Sequence, residues 1–192
     1  MMRIGVLAVQ GAFAEHIAAV EKLGAEAFEI RNTGDISQSF DGLILPGGES
    51  TVMKKLLNDL GLFEPLKEKI DSGLPVLGTC AGMILLAKNI DSGEEACFGT
   101  MDITVKRNAY GRQLGSFVCT DRFADKDITM RFIRAPYVTE TGSGIEILAE
   151  HDNKIIAVRQ NNQLATAFHP ELTDDKTVYE MFFGIIENRA AK

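Results

Sequence analysis

Pro75-Val-Leu-Gly-Thr-Cys-Ala-Gly-Met-Ile-Leu-Leu-Ala87 is the stretch from which the fold can be read. An apolar run short enough for a buried strand ends in Gly78-Thr79-Cys80-Ala81-Gly82, and apolar residues at helical spacing follow at once. Strand, sharp turn and helix therefore succeed one another, with a thiol at the apex. The spacing G-x-C-x-G is that of a nucleophile elbow: the reactive residue takes a strained backbone conformation, and small neighbours leave room around it. A helix starting at about Ala81 also points free backbone N–H groups and its positive dipole end at the sulfur, the setting in which a thiol reacts. Cys80 is the candidate nucleophile. The alternative is a small buried hydrophobe, the usual state of a free cysteine.

Working outward towards the N-terminus, Arg3 to Val9 reads as a buried strand and Gln10-Gly11 as the turn into a helix from Ala12 to Leu23, with Phe13, Ile17, Val20 and Gly24 on one face. Ala25 to Arg31 and Gly42 to Pro46 read as further strands. A helix carrying Val52, Leu56, Leu57 and Leu60 and an amphipathic segment from Glu64 to Asp71 lead back to Pro75. Such alternation predicts an α/β fold, a mostly parallel sheet with helices on both faces, whose ligands bind beyond the carboxyl ends of the strands. After Lys88 the pattern changes to strands joined by short turns: 102–106, 116–120, 128–133, 145–150, 154–160 and 164–168, with Asn161-Asn162 as one such turn. These extra antiparallel strands are expected on the same sheet, since no Pro/Gly/Ser-rich linker divides the halves, and residues 1–192 are expected to form one domain. Thr173-Asp174-Asp175 reads as the cap of a last helix to about Arg189.

With 27 acidic against 20 basic residues the net charge is -7, which disfavours nucleic acid as a partner. No apolar run approaches the roughly 18 residues of a membrane helix, and Gln10 and Glu15 interrupt the N-terminal run before it could form a signal core. Cys80, Cys97 and Cys119 are three cysteines at unrelated spacings, with no C-x-x-C pair or Cys/His cluster to suggest zinc. A reducing cytoplasm is the expected setting, with no metal and no cofactor.

A thiol nucleophile needs a base, and only three histidines exist. His16 falls on the first helix, where a solvated side chain is the expectation. His151 falls in the turn Glu150-His-Asp-Asn153 and is also expected to be exposed. His169 ends the run Leu164-Ala-Thr-Ala-Phe168, on the rim where Cys80 is expected, and Glu171 stands two positions on across Pro170, which restricts the backbone between them. A carboxylate bonded to one ring nitrogen fixes the tautomer, so the other nitrogen can take the thiol proton. Cys80, His169 and Glu171 then form a triad.

Acyl transfer through a thiolate places negative charge on the substrate oxygen, and donors aimed at it supply the largest electrostatic contribution. The Ala81 N–H follows the nucleophile, and the loop Pro46-Gly47-Gly48-Glu49-Ser50-Thr51 ends a neighbouring strand, where paired glycines let the backbone approach a ligand. Ser50 and Thr51 are expected to cap the next helix. A phosphate-binding reading of the loop stays open, although the lysine of the P-loop pattern is missing. On residues alone, a cysteine peptidase and a non-catalytic amino-acid-binding module also stay open.

Gly78-Thr79-Cys80-Ala81-Gly82 with a distant His169-Pro170-Glu171 resembles the class I, triad-type glutamine amidotransferases, over nearly the whole chain. Val9-Gln10-Gly11, Leu45-Pro-Gly-Gly-Glu-Ser-Thr51, Arg107-Asn-Ala-Tyr-Gly-Arg-Gln113 and Phe132-Ile-Arg-Ala-Pro136 are similar to motifs of the glutaminase subunits of pyridoxal 5′-phosphate synthase within that group. The resemblance implies a flavodoxin-like sheet and hydrolysis of L-glutamine to L-glutamate and ammonia. The ammonia would pass to a separate synthase subunit that builds the vitamin B6 ring from a pentose phosphate and a triose phosphate, the complex acting as a lyase. It also implies Cys80 as nucleophile with His169 and Glu171 as relay, Gly48 and Ala81 at the oxyanion, a glutamine pocket of Gly47, Gly48, Glu49, Arg107, Ile133 and Arg134, and a partner-sensitive Gln10. Chemistry supports the pocket in part: an α-amino acid needs cationic and anionic partners, and arginine and Glu49 suit those needs, although either arginine could be a solvated strand residue.

Overall fold

Strands that bury both faces read as near-continuous apolar runs, and four segments of this chain come close to that, with Arg3, Thr79, Gln163 and Thr166 as their polar members. They are β1 (Arg3–Leu7), β3 (Gly42–Leu45), β4 (Val76–Thr79) and β12 (Gln163–Thr166), with all or nearly all residues buried. In the computed structural model, which describes residues 1–108 and 115–190, they lie side by side in the order β1-β3-β4-β12, all parallel. At one edge β2 (Glu26–Ile30) adds in parallel to β1, with a more exposed pattern that suits an edge.

Between these strands run α1 (Phe13–Lys22), α2 (Thr33–Ile36), α3 (Ser50–Asp59), α4 (Phe63–Asp71) and α5 (Ala81–Leu86), and the described chain closes with α6 (Thr177–Ala190). Helices cover both faces. A side chain added at Gly42 would meet Phe182 and Ile186 of α6, whereas Leu45, on the opposite face of β3, lies against Gly82 of α5. On the α6 face α1 is joined to α6 by a hydrogen bond between Tyr179 and His16.

Beyond β12 the sheet continues through antiparallel pairs: β11 (Lys154–Gln160) against β12, β9 (Tyr137–Thr141) against β11, and β6 (Met101–Lys106) against β9. β5 (Ala87–Ile90) lines the far edge parallel to β6, and β10 (Glu146–His151) pairs with β11 beside this path. The fold is thus the α/β architecture expected, with two corrections. The strands β7 (Ser116–Phe123) and β8 (Lys126–Ile133) do not join the main sheet but form a separate two-stranded hairpin. β5 and β9 are strands that the sequence pattern does not announce: β5 takes over where the apolar run of α5 stops, and β9 shows no clean alternation. The part of the Arg107–Gln113 motif from Ala109 on lies outside the described residues.

Candidate active site

Parallel strands bring their carboxyl ends to one edge, and the residues singled out in sequence are the ones that leave those ends. β1 is followed by Gln10 and Gly11, β3 by Gly47 to Glu49, β4 by Cys80, and β12 by His169. The register pairs Thr166 with Thr79, and the Cys80 N–H continues the ladder by donating to the Thr166 carbonyl at 2.8 Å. Two residues far apart in the chain therefore stand on adjacent strand ends. His169 is secured from the other side as well, its N–H donating to the Arg131 carbonyl of β8 at 2.8 Å, so the separate hairpin holds this histidine in place.

Cys80 is the elbow: φ is 49° and ψ is -101°, outside the comfortable regions for an L-residue, and the thiol is 8% exposed. The flanking glycines make this turn possible by letting backbones touch. A Cβ at Gly82 would stand 2.0 Å from the Leu45 carbonyl oxygen, and one at Gly78 would stand 2.8 Å from the Gly82 backbone. Among the described residues seven non-glycines have left-handed backbone, and four of them, Ala124, Asp152, Asn153 and Asn161, sit in hairpin turns. The other three, Cys80, Asn108 and Arg134, line one cleft.

That cleft has a volume of about 420 Å³ and brings together Gln10, Gly47, Gly48, Glu49, Cys80, Arg107, Ile133, Arg134 and His169. Ala81 and Glu171 stand behind its wall, Ala81 as the first residue of α5, where no helical carbonyl precedes its N–H. Gly11, Ala12, Ser50, Ile84 and Asn108 complete the lining. Of these, Gly11 carried a readable signal: at φ 96° it is bound to be glycine, and a Cβ there would stand 1.9 Å from the Gly47 carbonyl oxygen. Gln10 crosses Gly48 to accept a hydrogen bond from the Glu49 N–H at 2.8 Å, so it helps set the loop beside the thiol.

His169 Nδ1 lies 2.6 Å from Glu171 Oε1, the orienting contact expected. Nε2 is left free of ordinary hydrogen bonds among the described residues and is the ring nitrogen available to the thiol. A Cβ on Gly47 would stand 2.4 Å from His169 Cε1 and 3.5 Å from Cys80 Cβ, so both side chains wall the same spot. Burial pulls the His169 pKa down, but the nearby Cys80 sulfur and the hydrogen bond and charge of Glu171 outweigh it and raise it from 6.5 to about 10. Burial likewise opposes the charge on Glu171, and the neighbouring His16 and His169 still hold its carboxyl below the usual range.

Other expectations change on contact with the structure. Glu49, not Ser50 or Thr51, caps α3: its carboxylate accepts from the Thr51 and Val52 N–H groups at 3.1 and 2.8 Å. Arg107 is no solvated strand residue, since its guanidinium bridges Glu49 at 3.1 Å and Glu94 at 2.6 Å. The acid and base assigned to the two ends of an amino acid thus hold each other across the cleft mouth. His151 is half-buried and bonded to Asp121 at 2.9 Å, stacked on Phe117 and Phe132. His16 is 0% exposed rather than solvated, because its helix face is covered by α6. The available signal was its place four residues before Val20, on the same face as that buried residue.

A solved structure titled as a glutamine amidotransferase superposes with a TM-score of 0.89 at 38% identity, covering 96% of this chain and 98% of that one. A structure titled as a putative GMP synthase protein from Thermoplasma acidophilum shares the fold, with a TM-score of 0.72 at 20% identity, covering 100% of this chain and 96% of that one. The chain is 59% identical over 186 residues to the pyridoxal 5′-phosphate synthase subunit PdxT of Methanocorpusculum labreanum, covering 96% of this chain and 98% of the relative. It is 53% identical over 188 residues to the subunit of the same name from Haemophilus influenzae, again covering 96% and 98%. Residues 6–188 match the description of one family throughout, and the chain belongs to the SNO glutamine amidotransferase family.

Proposed function

We propose that this chain is the glutaminase subunit of a pyridoxal 5′-phosphate synthase, hydrolysing L-glutamine to L-glutamate and ammonia and passing the ammonia to a separate synthase subunit for vitamin B6 biosynthesis. The observation that carries this reading is the meeting of a strained thiol with a histidine bonded to Glu171 at 2.6 Å, in a chain 59% identical to a PdxT subunit. Cys80 Sγ attacks the side-chain amide carbon of glutamine, and the oxygen takes up negative charge beside the Ala81 N–H and the Gly48 backbone. The C–N bond breaks as His169 gives its proton to the departing ammonia. A pKa of about 10 keeps that proton on the ring throughout the neutral range. Water then attacks the γ-glutamyl thioester, its proton returns to His169, the C–S bond breaks and glutamate leaves.

Glutamine is held by the cleft wall of Gly47, Gly48, Glu49, Arg107, Ile133 and Arg134, with Gln10 setting the loop conformation. Because Glu49 and Arg107 pair with each other, recognition of the amino acid involves exchanging that pair for contacts with its two charged groups. The domain spans residues 1–192, and three free cysteines fit a cytoplasmic setting. Among the described residues no helix is long and apolar enough to cross a membrane. The test is Cys80→Ala assayed with the synthase subunit. Glutamine-dependent ammonia release is expected to vanish while circular dichroism and association with the synthase stay unchanged, and residual turnover by the variant would remove Cys80 from the nucleophile's role.

A further inference from the structure

Behind the cleft, on the α1 and α6 side, lies a polar cluster that the triad chemistry as described does not use. His16, Thr79 and Tyr179 are all 0–1% exposed, and the Glu171 side chain is 0% exposed. His16 Nδ1 is 2.8 Å from the Tyr179 hydroxyl, and His16 Nε2 is 3.0 Å from Thr79 Oγ1 and 3.4 Å from Glu171 Oε2. Buried polar groups are rare and expensive unless they bond to something, so four of them from α1, β4, α6 and the turn after β12 call for a reason.

The hydrogen positions follow from satisfying each group. The Tyr179 hydroxyl is buried and has one partner among the described residues, so its proton goes to His16 Nδ1. Nδ1 is then the acceptor, and the neutral ring carries its proton on Nε2, aimed between Thr79 and Glu171. Glu171 Oε1 is committed to His169, while Oε2 is a buried carboxylate oxygen with no hydrogen bond of ordinary geometry among the described residues. His16 Nε2 is the group that faces it.

We propose that His16 is a positioning residue for the Cys80–His169–Glu171 triad, a neutral imidazole locked by Tyr179 whose Nε2–H holds the far oxygen of Glu171. Extending the relay in this way keeps Glu171 ionised and turned towards His169. It rests on the reading of Glu171 as the group that orients the base. A neutral donor suits the place better than a cation, because a charged His16 would oppose the imidazolium on His169. Burial, the larger influence, and His169 lower the His16 pKa below 6.5, against the attraction of Glu171 and Glu15. The titratable groups facing Glu171 are therefore His169 from the strand end, His16 from α1 and Tyr179 from α6, whose own pKa burial and Glu171 push upward.

The test compares His16→Leu, His16→Gln and Tyr179→Phe in the full chain with the synthase subunit, following kcat and KM for glutamine-dependent ammonia release from pH 5 to 9. Gln keeps an N–H at the reach of Nε2, whereas Leu fills the space without one. His16→Leu is expected to lower kcat by about ten- to a hundredfold, the scale on which loss of an outer partner disturbs the group it holds, with KM unchanged. Its acid limb is expected to move to higher pH, because a buried Glu171 without its donor keeps a proton longer. His16→Gln restores kcat to within a few-fold and returns the limb, and Tyr179→Phe falls between. A His16→Leu enzyme with wild-type kcat and pH profile, or a His16→Gln enzyme as slow as His16→Leu with an unshifted acid limb, overturns the proposal. Should His16→Leu not fold, wild-type kcat and pH profile in Tyr179→Phe overturn it instead. Failure of the glutaminase reading looks different: the wild-type chain releases no ammonia. In that case the pH dependence of Cys80 alkylation by iodoacetamide, located by peptide mass, reads the same variants, and an unshifted profile in all of them overturns the role of His16.

Discussion

At the scale of single residues the site depends on atoms that are missing. Gly47 has no left-handed backbone, so an alanine there meets no conformational penalty, and the available space alone decides its effect. Its Cβ would stand 2.4 Å from His169 Cε1, and the ring cannot retreat freely because Glu171 holds Nδ1 at 2.6 Å. Gly47→Ala is therefore expected to displace the imidazole and lower kcat for ammonia release by about a hundredfold, the penalty of a misplacement near 1 Å. Gly47 is itself buried, so a lower urea midpoint is expected to accompany the loss of activity. Retention of full kcat would mean that the imidazole does not have to sit where it is seen. Gly24 is the opposite case, at φ 82° with nothing within 4 Å, where an added methyl would strain the backbone and touch nothing.

At the scale of elements, the elbow is a three-way contact between β3, β4 and α5, and Gly82 is its closest point. An alanine at 82 drives a methyl into the Leu45 carbonyl, which is backbone of a central strand and cannot rotate away. Gly82→Ala is expected to destabilise the fold by about 2–3 kcal/mol in urea unfolding and to abolish turnover, because separating α5 from β3 also moves Cys80. A variant with wild-type stability would show that the sheet yields more easily than this packing implies. The same contact explains what could be read in the chain beforehand. The elbow announces itself through glycine spacing and the base through a strand end followed by proline, both of which are local signals. Pairing is not local: the sequences of β7 and β8 look like strands but carry no mark of belonging to a hairpin apart from the main sheet. α5 stops at Leu86 although Ala87 could extend a helix, since Ala87 turns into β5, which pairs with a strand that is still to come. The Glu49–Arg107 pair joins residues 58 positions apart and could be guessed only as two separate ligands.

At the scale of the whole molecule the least legible feature is also the one that ties it together. His16 and Tyr179 are 163 positions apart, and no pattern within α1 says that α6 will cover the face opposite the solvent-facing Glu15. The cluster they form with Glu171 and His169 makes stability depend on pH in both directions. Burial depresses the His16 pKa in the fold, so unfolding takes up a proton: its contribution is present above 6.5 and lost as pH falls towards its lower folded value. Glu171, also lowered in the fold, contributes above its ordinary 4.5 and loses that contribution further into acid. His169 has the reverse sign, because its folded value is raised: its contribution is complete below 6.5 and lost as pH rises through about 10. Urea midpoints measured from pH 4 to 10 are accordingly expected to pass through a maximum near pH 6.5 with a fall on each side. His16→Gln should flatten the part of the acid fall that lies between pH 6.5 and 4.5, where Glu171 does not yet take part. His169→Gln should flatten the alkaline fall and leave the upper part of the acid one in place. Equal slopes in all three proteins would mean that the buried cluster carries none of the pH dependence, and that exposed charges spread over an acidic surface set it instead.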